Sequence, residues 1–218
     1  MKYIKHIKLW GPKAFFILFF LAFSFSVFTQ NTNIETLSAK DISRVSVNGY
    51  QIFKIEVKTT QKDSVVVKSL TDGEYQNDFK IHTEVRPDQT LYIELRQTPF
   101  KTIPDDKRNA HKVVAATLRI EMPEKKNLRI QSDIGLVDAK GHFANLNIEL
   151  MQGSCRIKGE AQIANINTFD GDITIKTKNA VIEAQSSNGT THVDDLGFGV
   201  ALWALKSIDG DITVSRKD

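Results

Sequence analysis

Cysteine occurs once in the 218 residues, at Cys155. Pairing within the chain is therefore impossible, and a disulfide-stapled fold is excluded. No cysteine follows the apolar N-terminal run, which excludes a lipoprotein anchor. No cysteine pair and no His-x-x-x-His segment offers metal-ligand spacing. No repeat unit contains Gly-Gly, so the Gly-Gly-x-Gly-x-Asp calcium roll is excluded as well. A predominance of one charge is also missing. The formal charge of +3 comes from the first 30 residues, where Lys2, Lys5, Lys8 and Lys13 stand without an acid. Without those four, 25 basic residues face 26 acidic ones, a net of −1. The pI near 8.8 thus carries no argument for a nucleic-acid partner, whose electrostatic footprint belongs in the folded part. No amphipathic helical period is found after residue 30.

The N-terminus has a basic stretch, Met1 to Lys13, then 15 apolar residues, Ala14 to Phe28, then polar sequence. That run is shorter than the roughly 20 residues a spanning helix needs. It has the layout of a secretory signal peptide. Residues 1–29 are therefore expected to be removed on export. An uncleaved anchor is the alternative, and it would be the chain's only membrane contact.

What is present is a repeat. Gly135, Gly153, Gly171, Gly189 and Gly210 recur at spacings of 18, 18, 18 and 21. Seven residues before each stand Leu128, Leu146, Ala164, Ile182 and Trp203. Five before stand Ile130, Ile148, Ile166, Ala184 and Leu205. Two after stand Val137, Cys155, Ile173, Thr191 and Ile212; four after stand Ala139, Ile157, Ile175, Val193 and Val214. Apolar residues alternate with polar ones on both arms, so each arm reads as a half-buried strand. Glycine marks the turn between the arms, where a positive φ costs it nothing. A two-stranded unit cannot bury its own apolar row, but stacked units cover one another. The last spacing is three residues longer, across the apolar, Gly-rich Leu196 to Leu202. Trp203 then suits a terminal unit that closes the core.

Residues 30–43 read as a polar lead-in. Residues 44–123 hold short alternating runs, Val45–Val47, Ile52–Val57, Val65–Lys68, Phe79–Val85 and Leu91–Leu95. Turn signals at Asn48-Gly49, Asp72-Gly73 and Pro87-Asp88 separate them. This region is expected to be an antiparallel meander. It carries one non-periodic charged loop from Asp105 to Lys112. The predicted class is all-β: an antiparallel region over 44–123 continuing into a right-handed β-solenoid of 18-residue coils over 124–218.

Three features together resemble a known family: Val45-Ser46-Val47-Asn48-Gly49, the loop Asp105-Asp106-Lys107 through Asn109-Ala110-His111-Lys112-Val113, and the Gly-Asp-Ile-Thr units at Gly171 and Gly210. They resemble the family of exported bacterial proteins named putative adhesins. That family is best represented in Bacteroidetes and is close to the head-GIN-domain auto-transporter adhesins. The resemblance implies a β-helical fold and an envelope or surface location: periplasm, outer membrane or medium. It offers no catalytic residues.

The chemistry-bearing residues stand singly. Cys155 falls in an inward column and reads as a small buried hydrophobe. His82, His111, His142 and His192 occupy unrelated positions. Asp170/Asp172, Asp194/Asp195 and Asp209/Asp211 cluster at turns, and turn chemistry accounts for them. A catalytic carboxylate pair needs a cleft and one raised pKa. The candidate functional loop comprises Asp105, Asp106, Lys107, Asn109, His111 and Lys112, because long charged loops on rigid frames carry function. No cofactor, metal or catalytic residue is expected. The chain is expected to be a non-enzymatic binding or structural module with an envelope or protein partner. An envelope-stress accessory acting by protein contacts, and a carbohydrate-active enzyme, are the alternatives.

Overall fold

A computed structural model describes residues 31–72, 79–97 and 115–217. The expected signal segment and the loop from Asp105 to Lys112 lie outside them. The described residues contain fifteen strands and no helix. The strands form two ladders, which two long strands join into one sheet.

The repeat sets the register. β8 (Asn127–Ser132), β9 (Leu136–Gln152), β10 (Cys155–Asp170) and β11 (Ile173–Thr177) follow one another in the chain. β9 and β10 are long because each pairs in both ladders. In the first ladder Leu128 lies opposite Leu146, and Leu146 opposite Ala164, all parallel. In the second, Val137 lies opposite Cys155, and Cys155 opposite Ile173. Each partner is one glycine period further along the chain. Ile130, Ile148 and Ile166 stack in one row, all fully buried, with Ile157 and Ile175 in the row of the other ladder. All belong to a single core.

The turn glycines recur for a reason beyond φ. Gly135, Gly153 and Gly171 do have positive φ. In addition, a Cβ on Gly153 would lie 1.8 Å from the Gly135 carbonyl oxygen, and one on Gly171 would lie 1.9 Å from that of Gly153. One on Gly210 would meet Gly171, and one on Gly189 would meet Gly210. The turns pile backbone on backbone, and any side chain would hold them apart.

That glycine series also reveals an order the chain does not follow. β12 (Ala180–Ser186) and β13 (Thr191–Val193) precede β14 (Ala201–Asp209) and β15 (Ile212–Arg216) in sequence. In space β14 lies between β10 and β12, and β15 lies between β11 and β13. The fifth unit is inserted between the third and the fourth. Trp203 is therefore not in a terminal unit. It is 1% exposed, flanked by Ala164 and Ile182, and its Nε1 donates to the Ala161 carbonyl at 3.1 Å. The small Ala164 beside it leaves room for the indole. The three extra residues before Gly210 belong to the connection that carries the chain back over one unit.

The N-terminal half departs from the expected meander in a related way. β2 (Arg44–Asn48) pairs in parallel with β8, placing Val45 opposite Leu128 and Val47 opposite Ile130. β3 (Ile52–Thr60) pairs in parallel with β9, placing Ile55 opposite Val137 and Val57 opposite Ala139. The Asn48-Gly49 turn is thus a crossover from one ladder to the other, not a hairpin. β6 (Thr90–Gln97) and β7 (Ala115–Pro123) continue the two ladders beyond β2 and β3, again parallel. Antiparallel pairing is confined to the outside. β5 (Phe79–Val85) forms a hairpin with β6 across Pro87-Asp88, and β4 (Ser64–Asp72) flanks β7. The expected lead-in is also corrected, because Asn31–Ser38 is a strand, β1, paired antiparallel with β4. Its few apolar residues hid it; its hydrogen bonds come from β4, which local sequence cannot show.

Candidate functional site

Where each strand of the first ladder meets its glycine turn, three columns build a groove. Four residues before the glycine, side chains point outward. Gln131, Glu149, Asn167, Lys206 and Gln185 stand side by side in that spatial order, and Asn48, which directly precedes Gly49, extends the row as the register partner of Gln131. Gln131 donates from Nε2 to Glu149 Oε2 at 2.8 Å, which ties two members together.

Three residues before the glycine, side chains point inward beneath the turn, and most carry hydroxyls. Ser132, Thr168 and Ser207 are buried. Ser132 Oγ donates to the Gly49 carbonyl at 2.9 Å, Thr168 Oγ1 to that of Gly171 at 2.8 Å, and Ser186 Oγ to that of Gly210 at 2.7 Å. Glycine carbonyls at the turns need donors that the strand ladder does not all supply, although the Gly49 carbonyl also accepts from the Ile52 N–H at 2.9 Å, and an acceptor left unpaired away from water costs about 1–3 kcal/mol. This hydroxyl column meets that demand and holds the rim in shape.

Two residues before the glycine, side chains point outward again and stand at the rim. The outward positions two residues earlier on these strands are all polar. Here Met151, Phe169 and Ile208 occupy three adjacent strand ends at 57%, 48% and 41% exposure, with Asp133 and Ser187 beyond them. Tyr50, 60% exposed, stands at the N-terminal end. The apolar rim and the polar row enclose a groove of about 630 Å³ that runs across the strands. A contiguous exposed apolar strip with a polar border marks a binding surface. Sequence reading missed these residues, although the signal was there. Aligned on its glycines, the column two before reads Asp133, Met151, Phe169, Ser187, Ile208, with large apolar residues on an outward face that is polar two residues earlier.

The sequence-predicted residues are placed elsewhere. Cys155 is fully buried between Val137 and Ile173, as its column required, and burial, with the nearby Asp138 charge, pushes its thiol up to about 12. Asp170, Asp172, Asp194, Asp195, Asp209 and Asp211 are all exposed. Asp172 Oδ1 accepts from the Asp211 backbone N–H at 2.9 Å, and Asp211 Oδ1 accepts from the N–H and hydroxyl of Thr190 at 2.7 and 2.8 Å. The Thr190 bonds hold the Asp211 carboxyl below its ordinary range. These acids tie one turn to the next. His82, His142 and His192 are not brought together: they lie on β5, β9 and β13, and His192 Nε2 lies 3.1 Å from Asp194 Oδ1. Among the described residues no three histidines, cysteines or acids converge as a metal site. The candidate loop residues Asp105, Asp106, Lys107, Asn109, His111 and Lys112 lie outside the described residues.

No protein-family model matches the chain, and no curated protein matches it. Among solved structures, a putative cell adhesion protein from Clostridium sporogenes is similar over 87% of this chain and 100% of its own, with a TM-score of 0.63 at 15% identity. A putative adhesin from Bacteroides fragilis matches over 87% and 99% at 11% identity, with a TM-score of 0.38. A putative lipid binding protein from Parabacteroides distasonis matches over 86% and 97% at 12% identity, with a TM-score of 0.26. The first likeness shows a shared fold. The other two overlap too loosely to carry an argument.

Proposed function

We propose that this chain is a non-catalytic, exported binding module of the bacterial cell envelope, and that its ligand lies along the groove between Tyr50 and Ser187. The observation that carries the reading is the exposed row Met151, Phe169, Ile208 on three adjacent strand ends. Each exposed apolar side chain there forgoes about 25 cal/mol per Å² that burial would yield. A rigid stack can hold such a row open because the hydroxyl column beneath fixes the turns. The groove crosses the strands, so it suits an extended ligand with an apolar edge and hydrogen-bonding groups along its other side. Export is supported by the Lys-rich start and the Ala14–Phe28 run. The architecture is read as a right-handed β-solenoid, supported by the one-period offset of the parallel partners among β8, β9, β10 and β11 and by the handedness of parallel crossovers.

Sedimentation of the purified chain with isolated cell envelopes tests the site. Retention is expected for the natural sequence and is expected to fall about tenfold for Phe169→Ser with Met151→Ser, a loss of about 1.4 kcal/mol. Equal retention of the double variant refutes the groove. Release of reducing sugar from the same envelopes refutes the non-catalytic reading.

A further inference from the structure

The outer face of the second ladder, away from the groove, carries a row of one sign. Lys58 of β3 is the register partner of Lys140 of β9, Lys140 that of Lys158 of β10, and Lys158 that of Lys176 of β11. All four are exposed. Parallel neighbours lie about 4.8 Å apart, so the four stems leave the sheet along a straight line about 14 Å long. Like charges directly opposite one another on a sheet are destabilising. One row away charges of both signs meet: Glu56 binds Lys54 and Arg119, and Asp138 lies between Glu56 and Arg156. In the lysine row only Lys140 has an acid partner, Asp138 at 3.4 Å. Lys58, Lys158 and Lys176 make no ion pair among the described residues. The row has definite ends: Glu121 lies beyond Lys58 and Ser215 beyond Lys176.

We propose that this row binds a linear acidic polysaccharide, a chain with one carboxylate per sugar, lying across the strands. The geometry favours it over other polyanions. The positive charge is a line, because the neighbouring row holds Glu56 and Asp138 between its cations Arg119 and Arg156, and Thr174 beyond them. A bilayer surface needs cations spread over two dimensions. A duplex nucleic acid sets phosphates at about 3.4 Å per strand and winds away from a straight row. An extended uronate chain is nearly straight and carries one carboxylate per sugar ring, so a linear row of cations can face several of its carboxylates at once. Lysine suits such a partner, since an ammonium on a flexible stem acts as a point charge that follows small mismatches in spacing.

The full chain is titrated with oligogalacturonates of increasing length, with a neutral glucan series alongside. Affinity for the uronates should rise with length until all four lysines are covered, then level off. The logarithm of affinity should fall linearly with that of salt concentration, with a slope on the order of −3. Lys140→Gln, Lys158→Gln and Lys176→Gln together should lower affinity by about tenfold or more, while the corresponding arginine variant retains it. The glutamine variant should melt no lower than the natural chain, because three like-charged contacts are gone, so its loss of binding cannot be loss of fold. No uronate binding, unchanged binding by the glutamine variant, or equal binding of the neutral glucan overturns the proposal. Tighter capture of duplex DNA or of phosphatidylglycerol vesicles through the same lysines overturns the assignment to polysaccharide.

Discussion

The inserted fifth unit can be tested by cross-linking, because the two possible orders put different residues side by side. Asn165 on β10 is the register partner of Ala204 on β14, two units later in the chain, and Ala204 is the partner of Glu183 on β12. Were the units stacked in chain order, Asn165 would instead adjoin Glu183, one unit later. All three side chains point outward, so substitution leaves the core alone. Adjacent strands put Cα atoms about 4.8 Å apart, inside the roughly 4.4–6.8 Å span of a disulfide, whereas strands two apart are about 9.6 Å apart, beyond it. Asn165→Cys with Ala204→Cys should therefore oxidise to a bridged monomer, and Asn165→Cys with Glu183→Cys should not. The bridge closes the loop from 165 to 204, worth up to about 4 kcal/mol on the chain-entropy account, less the strain of joining parallel neighbours. Non-reducing electrophoresis and intact mass after mild oxidation read the result. Cys155 does not compete, since it is fully buried and its thiol stays protonated. Efficient bridging of the 165/183 pair, with none in the 165/204 pair, would refute the inserted order and the placement of Trp203 in the interior.

Three further outcomes follow from the same stack. Ile166→Ala removes a fully buried side chain held between Ile148 and Leu205, and denaturant melts should show a loss of about 2–5 kcal/mol; the outward Asn165→Ala should cost less than about 0.5 kcal/mol, and a reversal of the two would mean a register wrong by one residue. Gly171→Ala places a Cβ 1.9 Å from the Gly153 carbonyl oxygen at positive φ, and thermal melting should show a loss of about 2–4 kcal/mol; Gly197→Ala, where the nearest atom is 4.0 Å away, should lose only about 1 kcal/mol to backbone strain. The Cys155 thiol is pushed up to about 12 by burial. The folded state therefore holds its proton where the unfolded chain, with an ordinary thiol pKa of about 8.5, releases it, so stability falls as pH rises from about 9 to about 12. Cys155→Val, which matches the neighbouring Val137, should show a shallower loss over that window by equilibrium unfolding, and an identical pH profile would refute the buried-thiol account.

The period, the faces and the core of the repeat were legible in the chain alone. Ile130, Ile148 and Ile166 could be placed in one row because strand alternation has a period of two and the glycines count the layers. Cys155 could be assigned to the interior for the same reason. The antiparallel hairpin at Pro87-Asp88 was equally legible, since its turn chemistry is local. Tertiary structure alone decided which unit lies beside which. β2 with β3, and β14 with β15, each sit one layer inside an end of the parallel stack, and nothing in their own residues distinguishes an inner neighbour from an outer one. Alternating apolar side chains specify that a strand be covered, not what covers it. β2 finds its partner β8 beyond the whole N-terminal half, and β10 finds β14 two units further on. Such pairings are chosen by the closure of the whole core. The groove and the lysine row share that character. Phe169 and Lys158 are ordinary residues in the chain; they become a rim and a charged line only because neighbouring layers set Met151 and Ile208 beside the one, and Lys140 and Lys176 beside the other.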